Sequence, residues 1–245
     1  MSAAANSNPW WQACLDLLFP PLCLGCGTCL GSSRPPLFCP GCQEKIIPLA
    51  PPFCTCCGRP LPAAAGQGHI CGRCLTKPPA FTMARALVLY DGPIAEAIHR
   101  FKYQGETAGL ATFAHLNTMA APAVLSAPDL ILPVPLHPKR LRQRGFNQAQ
   151  RLAAAFFPNG RERLRSELLL RTRPTAPQTG MSGGERRRNL RRAFALSRPG
   201  LVRNRRILLV DDVYTTGSTV NECAKVLRRA GATAVEVLTL ARVRE

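Results

Sequence analysis

The segment ILLVDDVYTTGST (Ile207 to Thr219) decides the fold of this chain, because it combines three features in a fixed order. The apolar run ILLV predicts a buried strand. Two adjacent carboxylates, Asp211 and Asp212, follow that strand. A loop of threonine, glycine and serine then leads into a helical pattern over residues 219–230. This order places the loop at the carboxyl edge of a parallel sheet, where open α/β folds bind their ligands.

The residues of this loop suit a phosphate group. Gly217 permits a close approach of the backbone, and the amides of residues 216–219 sit at the positive end of the following helix. The loop lacks the GxxxxGK pattern of a Walker site. The hydroxyl groups that can join the amides belong to Thr215, Thr216, Ser218 and Thr219.

The two carboxylates would repel a phosphate and therefore need another partner. Asp211 and Asp212 suit vicinal hydroxyl groups or water molecules on a magnesium ion. A phosphate loop beside carboxylates that accept from hydroxyl groups describes a site for ribose 5-phosphate. The plainer alternative is a helix cap with two solvated aspartates.

Residues 81–245 alternate strand and helix patterns, with apolar strands. This alternation predicts a mostly parallel α/β sheet. Residues 174–192 are rich in glycine, arginine and proline and predict a long loop. The predicted strands cover residues 84–90, 129–136, 167–173, 193–197, 205–210 and 234–243, and the predicted helices cover 91–103, 107–120, 145–157 and 219–230.

The cysteines predict a separate metal-binding module over residues 23–80. Eleven of the 12 cysteines lie between Cys14 and Cys74. Eight of these cysteines form four CxxC pairs. The first and second pairs are separated by 12 residues (27–38), and the third and fourth by 13 residues (58–70). Two CxxC turns complete a tetrahedral site of four thiolates, so the pattern predicts two structural zinc ions in a duplicated zinc ribbon. The predicted ligands are Cys23, Cys26, Cys39, Cys42, Cys54, Cys57, Cys71 and Cys74.

Other interpretations of the cysteines are redox-active thiols, an iron–sulfur cluster, or a cross-braced pairing of alternate couples. Cys14, Cys29 and Cys56 remain outside the metal groups, and Cys223 is expected to face the core. Residues 1–22 predict a short amphipathic segment that packs on the protein, with membrane contact as the alternative. No run approaches the length of a spanning helix, and the start is a poor signal peptide. A cytoplasmic location is therefore expected, where thiols stay reduced.

Positive charge is concentrated in one window. The net charge is +18, and residues 139–206 hold 19 basic and 3 acidic side chains. Such a surface attracts phosphate-rich partners, although a solvated basic face without a ligand is the plain alternative. Aromatic residues make up only 6% of the chain. Base stacking therefore has few platforms, and any DNA binding is expected to be electrostatic.

The segment ILLVDDVYTTGST resembles the signature of type I phosphoribosyltransferases that binds 5-phosphoribosyl diphosphate (PRPP). DLILPVPLHPKRLRQRGFNQAQRLA (129–153), LLRTRPTAPQTGMSGGERRRNLRRAF (169–194) and the double CxxC module resemble the ComF family, over about residues 20–243. That family includes competence proteins and GntX-like proteins. The resemblance implies a five-stranded parallel core with helices on both faces.

The resemblance also implies roles for individual residues. Asp211 and Asp212 would hold the ribose hydroxyls, and the 5-phosphate would lie on Thr215, Thr216, Gly217, Ser218 and Thr219, with Mg²⁺ accompanying PRPP. A second loop after an earlier strand would hold the diphosphate, and a flexible loop would close over the site or touch nucleic acid. The diphosphate residues would be Val134, Pro135, Leu136, Lys139, Arg140 and Arg144, and those of the flexible loop Gln178, Arg186, Arg187, Arg188 and Asn189.

Three functions are compatible with this resemblance. The first is a protein that binds PRPP or a related phosphosugar or nucleotide and handles single-stranded DNA in natural competence. The second is an active, Mg²⁺-dependent phosphoribosyltransferase with an unknown small-molecule acceptor. The third is docking of a partner, such as a DNA-uptake helicase, on the ribbons. The sequence shows no evident acid or base for activating an acceptor, but phosphoribosyl transfer depends mainly on charge stabilisation.

Overall fold

The computed structural model describes residues 20–31, 34–65, 68–103, 108–120, 127–173, 190 and 192–244. Most of the predicted N-terminal segment lies outside these residues. The principal sheet has four parallel strands in the order β1-β6-β5-β2. The strands β3 and β4, which come between β2 and β5 in sequence, form a separate antiparallel sheet of two strands. The strands are β1 (Met83–Leu89), β2 (Leu130–Pro133), β3 (Leu169–Arg171), β4 (Phe194–Leu196), β5 (Arg206–Tyr214) and β6 (Ala234–Arg242).

Seven α-helices accompany the strands in the described part of the chain. Three short 3-10 segments complete the regular structure, over Ala63–Ala65, Pro158–Arg163 and Pro199–Val202. The α-helices are α1 (Pro40–Gln43), α2 (Gly72–Thr76), α3 (Gly92–Tyr103), α4 (Gly109–Ala120), α5 (Pro138–Arg144), α6 (Gln148–Phe156) and α7 (Ser218–Arg229).

The sheet is covered by helices on both faces, as the resemblance implied. Successive residues of a strand point to opposite faces. Ile207 and Leu209 of β5 pack in one apolar cluster with residues of α7, whereas Leu208 and Val210 pack in another with residues of α3, α4 and α6. The alternation of β5 therefore fixes which helices share a layer.

Two expectations about the strands need correction. The principal sheet has four strands within the described residues, not five, because the predicted strands 167–173 and 193–197 pair with each other as β3 and β4. Beyond β2 a single parallel bridge joins Ile131 to Leu164. The polar residues 165–167 that follow Leu164 are unsuited to a buried strand, so the pairing stops there.

The predicted helix 145–157 is found in a shorter form as α6, Gln148–Phe156, and a helix that was not predicted precedes it. An additional helix, α5, begins at Pro138, where the Nδ1 of His137 accepts from the Lys139 amide at 3.2 Å. It ends at Gly145, whose φ of 77° closes the helix in the left-handed region. The side chain of Asn147 then caps α6 through the Ala149 amide at 3.0 Å.

The cysteine module packs against both faces of the sheet near β1. Its first ribbon holds the cysteines from Cys23 to Cys42, and its second ribbon holds those from Cys54 to Cys74. In the first ribbon, Leu24 and Phe38 belong to the cluster that contains α3 and α4. In the second, the four metal-site cysteines belong to the cluster that contains α7. Between the ribbons, the Leu49 amide donates to the Leu87 carbonyl, and the Leu89 amide donates to the Ile47 carbonyl, each at 2.9 Å. This short antiparallel contact covers the outer edge of β1, which would otherwise offer unpaired backbone groups.

None of the helices that the structure describes combines the length and the apolar character needed to cross a bilayer.

A substitution at Gly58 tests how the second ribbon packs against the sheet. Its φ is 70°, and a Cβ there would overlap the carbonyl oxygen of Ala84 in β1. We expect Gly58→Ala to lower the free energy of unfolding of the zinc-loaded protein by about 1–3 kcal/mol, because the ribbon must shift to relieve the overlap. Chemical denaturation measures the effect. Gly41→Ala, where nothing lies within 4 Å of the new Cβ, is the control. An equal loss in both variants would contradict this account of the seating.

Candidate functional site

The loop between β5 and α7 requires a glycine at position 217. Gly217 has a φ of 70°, and a Cβ at this position would overlap the hydroxyl group of Tyr214. The Thr216 Oγ1 and Ser218 Oγ atoms lie 2.7 Å apart. Because α7 begins at Ser218, the first amides of the helix have no acceptor within it. The loop therefore presents the hydroxyls and amides that an anion needs, at a helix N-terminus.

The predicted carboxylates lie inside β5, which extends beyond the predicted end of that strand. Both side chains are partly buried. The Asp212 amide donates to Asp211 Oδ1 at 2.9 Å. Burial and the neighbouring Asp212 charge raise the pKa of Asp211 to about 7, although the Asp212 amide and the Lys102 and Arg171 cations oppose the shift. Two carboxylates are thus held close together beside the Gly217 loop.

Lys102 from the end of α3 neutralises part of this charge. Its Nζ lies 2.8 Å from Asp212 Oδ2. Burial alone would lower the pKa of Lys102, but the carboxylates of Asp212 and Asp211 outweigh it and raise that pKa. The lysine therefore stays cationic and holds Asp212 in place.

The second predicted loop lies at the same edge of the sheet. Since β2 pairs in parallel with β5, the residues after both strands are neighbours. The Val134 amide donates to the Val210 carbonyl at 2.9 Å, and Asn147 Nδ2 donates to the Val134 carbonyl at 3.1 Å. The structure therefore brings Val134, Pro135 and Leu136 to the edge where Asp211 lies.

The three cations predicted for this loop have different surroundings. Lys139 is exposed at the start of α5. Arg140 is close enough to Arg171 to contribute to lowering the pKa of that guanidinium, after the larger effect of burial. Arg144 donates to Gln148 Oε1 at 2.9 Å and lies over the Tyr103 ring, 5.0 Å from its centroid. Arg144 is therefore engaged by α6 and α3. The flexible-loop residues Gln178, Arg186, Arg187, Arg188 and Asn189 lie outside the described residues.

Sequence reasoning missed three cations near this site. Lys102 reads as an ordinary charge at the end of a helix. Arg171 is buried in β3 with its guanidinium 5.7 Å from the Phe194 centroid, and an arginine directly after the apolar run LLL was an available signal. Arg73, in the second ribbon, donates to the Thr216 carbonyl. No local pattern could indicate this contact, because 143 residues separate the partners.

The eight predicted metal ligands form two groups, and the pairing is of adjacent couples. Cys23, Cys26, Cys39 and Cys42 form one group, and Cys54, Cys57, Cys71 and Cys74 form the other; within each group the sulfur atoms lie within 4.8 Å of one another. The arrangement is not cross-braced. A tetrahedral zinc ion with Zn–S bonds of about 2.3 Å places its sulfur atoms about 3.8 Å apart. The Cys26–Cys39 and Cys57–Cys71 sulfur distances are 3.6 and 3.8 Å.

Backbone amides favour the thiolate form of one sulfur atom in the second group, that of Cys54. The Cys71 amide donates to Cys54 Sγ at 3.3 Å, and the Cys57 amide donates to the same atom at 3.5 Å. Burial opposes ionisation of Cys54, but the amides of Cys71, Cys57 and Cys56 lower the pKa of this thiol to about 7. Both groups therefore have the ligands and geometry of structural zinc sites. Cys223 is fully buried, as predicted.

Comparison with known proteins agrees with these two parts. Residues 14–75 match the double zinc ribbon domain, and residues 145–245 match the phosphoribosyl transferase domain. The chain is 36% identical to competence protein F of Haemophilus influenzae over 218 residues, covering 83% of this chain and 90% of that protein. It is 39% identical to the DNA utilization protein YhgH of Escherichia coli O6:H1 over 196 residues, covering 78% and 84%.

Among solved structures, an allosteric regulatory enzyme of purine biosynthesis is similar over 54% of this chain and 26% of its own. The identity is 22% and the TM-score is 0.35. This likeness is too distant to bear on function.

Metal content tests the two four-thiolate groups. We expect about two zinc ions per chain, one for each group. Cys74→Ser removes a ligand of the second group and should lower the content to about one. Cys56→Ser is the matched control, because Cys56 lies in the same ribbon but in neither metal group, and it should leave the content unchanged. Elemental analysis of the purified protein measures the result, and iron in place of zinc would contradict it.

The raised pKa of Asp211 gives a prediction about stability. Its pKa is raised to about 7 in the folded protein, well above the ordinary value of an aspartate, so the folded state binds a proton more tightly than the unfolded state. The contribution of Asp211 to stability therefore falls as the pH rises between about 4 and 7. Asp211→Asn removes the buried charge and should raise the free energy of unfolding more at pH 8 than at pH 5. Denaturant titrations at both pH values measure it, with Asp129→Asn as control. Equal effects at both pH values would refute the assignment.

Proposed function

The chain belongs to the ComF family, and from that premise we propose that it binds PRPP, or a related ribose 5-phosphate compound, and serves in the cytoplasmic handling of single-stranded DNA. The observation that carries the proposal is the juxtaposition of Asp211 and Asp212 with the Gly217 loop. A ribose 5-phosphate has both complementary groups at a suitable separation. The carboxylates accept hydrogen bonds from the 2- and 3-hydroxyls, while the loop donates to the phosphate.

The surrounding charges support a diphosphate at C1 of the sugar. Lys102 holds Asp212, and Arg171 lies within electrostatic reach of Asp211. The loop from Val134 to Leu136 adds backbone groups at the same edge. Asp211 and Asp212 are also suited to hold water molecules on a magnesium ion, because Mg²⁺ prefers oxygen ligands and retains several waters. When bound, that ion would neutralise charge on the diphosphate.

PRPP binding is tested by calorimetry in the presence of Mg²⁺. We expect measurable affinity for the wild type and at least a tenfold loss for Asp212→Ala, which removes a charged acceptor from the ribose. Asp91→Ala, at the exposed start of α3, is the control and should bind normally. Wild-type protein without affinity, or an unaffected Asp212→Ala variant, would overturn the proposal.

The enzymatic alternative makes the same site a transferase. The C1–oxygen bond of PRPP would break, diphosphate would leave with the bonding electrons, and an acceptor would form the new bond at C1. The buried Arg171 and the cationic Lys102 favour such charge stabilisation. Release of diphosphate on incubation with PRPP, Mg²⁺ and candidate acceptors distinguishes this alternative from a binding protein.

The part of the proposal that concerns DNA is supported by charge at the opposite end of the sheet. The strands β2 and β5 begin there, beside a cavity of about 570 Å³ whose lining includes Arg165, Arg198 and Arg205. Three acidic residues, Asp129, Glu162 and Glu167, share the lining. Basic side chains nevertheless outnumber acidic ones here, because exposed arginines lie within two residues of the lining residues in sequence: Arg161, Arg163, Arg203 and Arg206. Arg228, also exposed, donates to the Ala232 carbonyl just before β6 at 2.9 Å.

The DNA interaction is tested with two sets of substitutions. Arg198, Arg203 and Arg206 are replaced by alanine in one variant, and Arg186, Arg187 and Arg188 in the other. If each set removes three phosphate contacts, the slope of log affinity against log salt should fall by about 2. Fluorescence anisotropy with a labelled oligonucleotide measures it. Salt-independent binding would contradict an electrostatic interaction. If one variant binds DNA as the wild type does, the three arginines replaced in it do not contribute to DNA binding.

A further inference from the structure

We propose that the second ribbon braces the phosphate loop, and that Arg73 is its positioning residue. The second ribbon here means residues 53–76, with the four sulfur atoms of Cys54, Cys57, Cys71 and Cys74. The inference extends the proposed function, because it concerns affinity for a phosphosugar at the Gly217 loop. Two connections lead from the ribbon to this loop, and a third leads there from the segment just after the ribbon.

The first connection acts on a single peptide group. The Arg73 guanidinium donates to the carbonyl oxygen of Thr216. In a trans peptide, the carbonyl and the amide N–H point in opposite directions. Fixing the Thr216 carbonyl toward the ribbon therefore turns the Gly217 amide away from the ribbon. Arg73 thus sets the direction of one donor in the proposed phosphate site.

The second connection runs through an aromatic ring beneath the loop. Arg242 donates to the carbonyl of the metal-site residue Cys57 at 2.7 Å. Its guanidinium lies 4.5 Å from the centroid of the Tyr214 ring, and the Tyr214 hydroxyl lies against Gly217. Movement of the Cys57 turn would therefore be transmitted to the floor of the loop.

The third connection reaches the first turn of α7. The Ala80 amide, just beyond the ribbon, donates to Asn221 Oδ1 at 2.7 Å. The Asn221 amide in turn donates to the Gly217 carbonyl at 2.9 Å. The segment just after the ribbon is thus joined to α7 at Asn221, and α7 to the loop at Gly217.

The two ribbons differ where the brace requires it. The last CxxC pair of the first ribbon reads CPGC (Cys39 to Cys42), and that of the second reads CGRC (Cys71 to Cys74). Gly41 and Arg73 therefore hold the same place, immediately before the last cysteine. The first ribbon instead contacts the other face, where the Leu37 amide donates to Thr112 Oγ1 of α4 at 2.9 Å. Arginine is thus dispensable for the CxxC turn itself.

Metal ligation gives the brace its rigidity. Arg73 lies on α2, a helix of only 5 residues, and a helix so short is not stable by itself in water. Cys71 and Cys74 flank Arg73, so a metal ion on their sulfur atoms would fix the helix in position. The guanidinium can then hold the Thr216 carbonyl without the cost of ordering a mobile segment.

The test exchanges the residues of the two ribbons. Arg73→Gly gives the second turn the residue type of the first, and Gly41→Arg, where nothing lies within 4 Å of a new Cβ, is the matched control. Titration calorimetry with ribose 5-phosphate should show affinity at least fivefold weaker for Arg73→Gly, with unchanged zinc content. Arg73→Lys should recover part of the affinity, because it restores a charged donor. Gly41→Arg should bind as the wild type does.

A second measurement needs no ligand. Amide hydrogen exchange over residues 215–219 should be faster in Arg73→Gly than in the wild type and unchanged in Gly41→Arg. If the amides of residues 215–219 exchange in Arg73→Gly at the wild-type rate, the proposal that Arg73 holds the loop in place is wrong, whatever ligand the protein binds. Wild-type protein that fails to bind ribose 5-phosphate would refute the proposed function, while the exchange result would still decide the brace. Normal exchange and normal affinity in Arg73→Gly would refute the role of Arg73 altogether.

Discussion

The close contact between the Tyr214 hydroxyl and the backbone of Gly217 is the constraint on which the site depends. It requires a residue without a Cβ and with a positive φ, and so it places the loop directly over the end of β5. That strand is central in the sheet, between β6 and β2. Its carboxylates, the loop after β2 and the N-terminus of α7 therefore meet at one edge. The site is a consequence of parallel pairing together with one tight backbone turn.

The carboxylates of this edge illustrate a conflict between stability and function. Asp211 is held where burial and the neighbouring Asp212 oppose its ionisation, and Lys102 offsets only part of that cost. A sheet that served stability alone would place apolar residues at these positions, as it does at Leu208 and Leu209. The ligand proposed here, which presents hydroxyl groups or a hydrated cation, would account for two adjacent acids at these positions. Destabilised groups of this kind are typical of functional sites.

The cysteine module contributes more than a separate small fold. It has too few core residues to fold without a staple, and its apolar side chains complete the two clusters on either face of the sheet. The segment between the ribbons covers the edge of β1. The second ribbon then reaches the Gly217 loop through Arg73, which donates to the Thr216 carbonyl. Folding of the metal sites and order at the loop are therefore linked by direct contacts rather than by chain connectivity.

Local sequence determined the elements and their chemistry. The run from Ile207 to Thr219 contains its strand, its acids, its glycine turn and its helix start within 13 residues, and the CxxC spacings fixed the metal ligands, because both depend on interactions between near neighbours. Tertiary structure alone decided that β3 pairs with β4 outside the principal sheet, and that Lys102, Arg171 and Arg73 surround the loop. These contacts join residues far apart in the chain, and their free energy comes from packing and charge in the folded state, which no local pattern encodes.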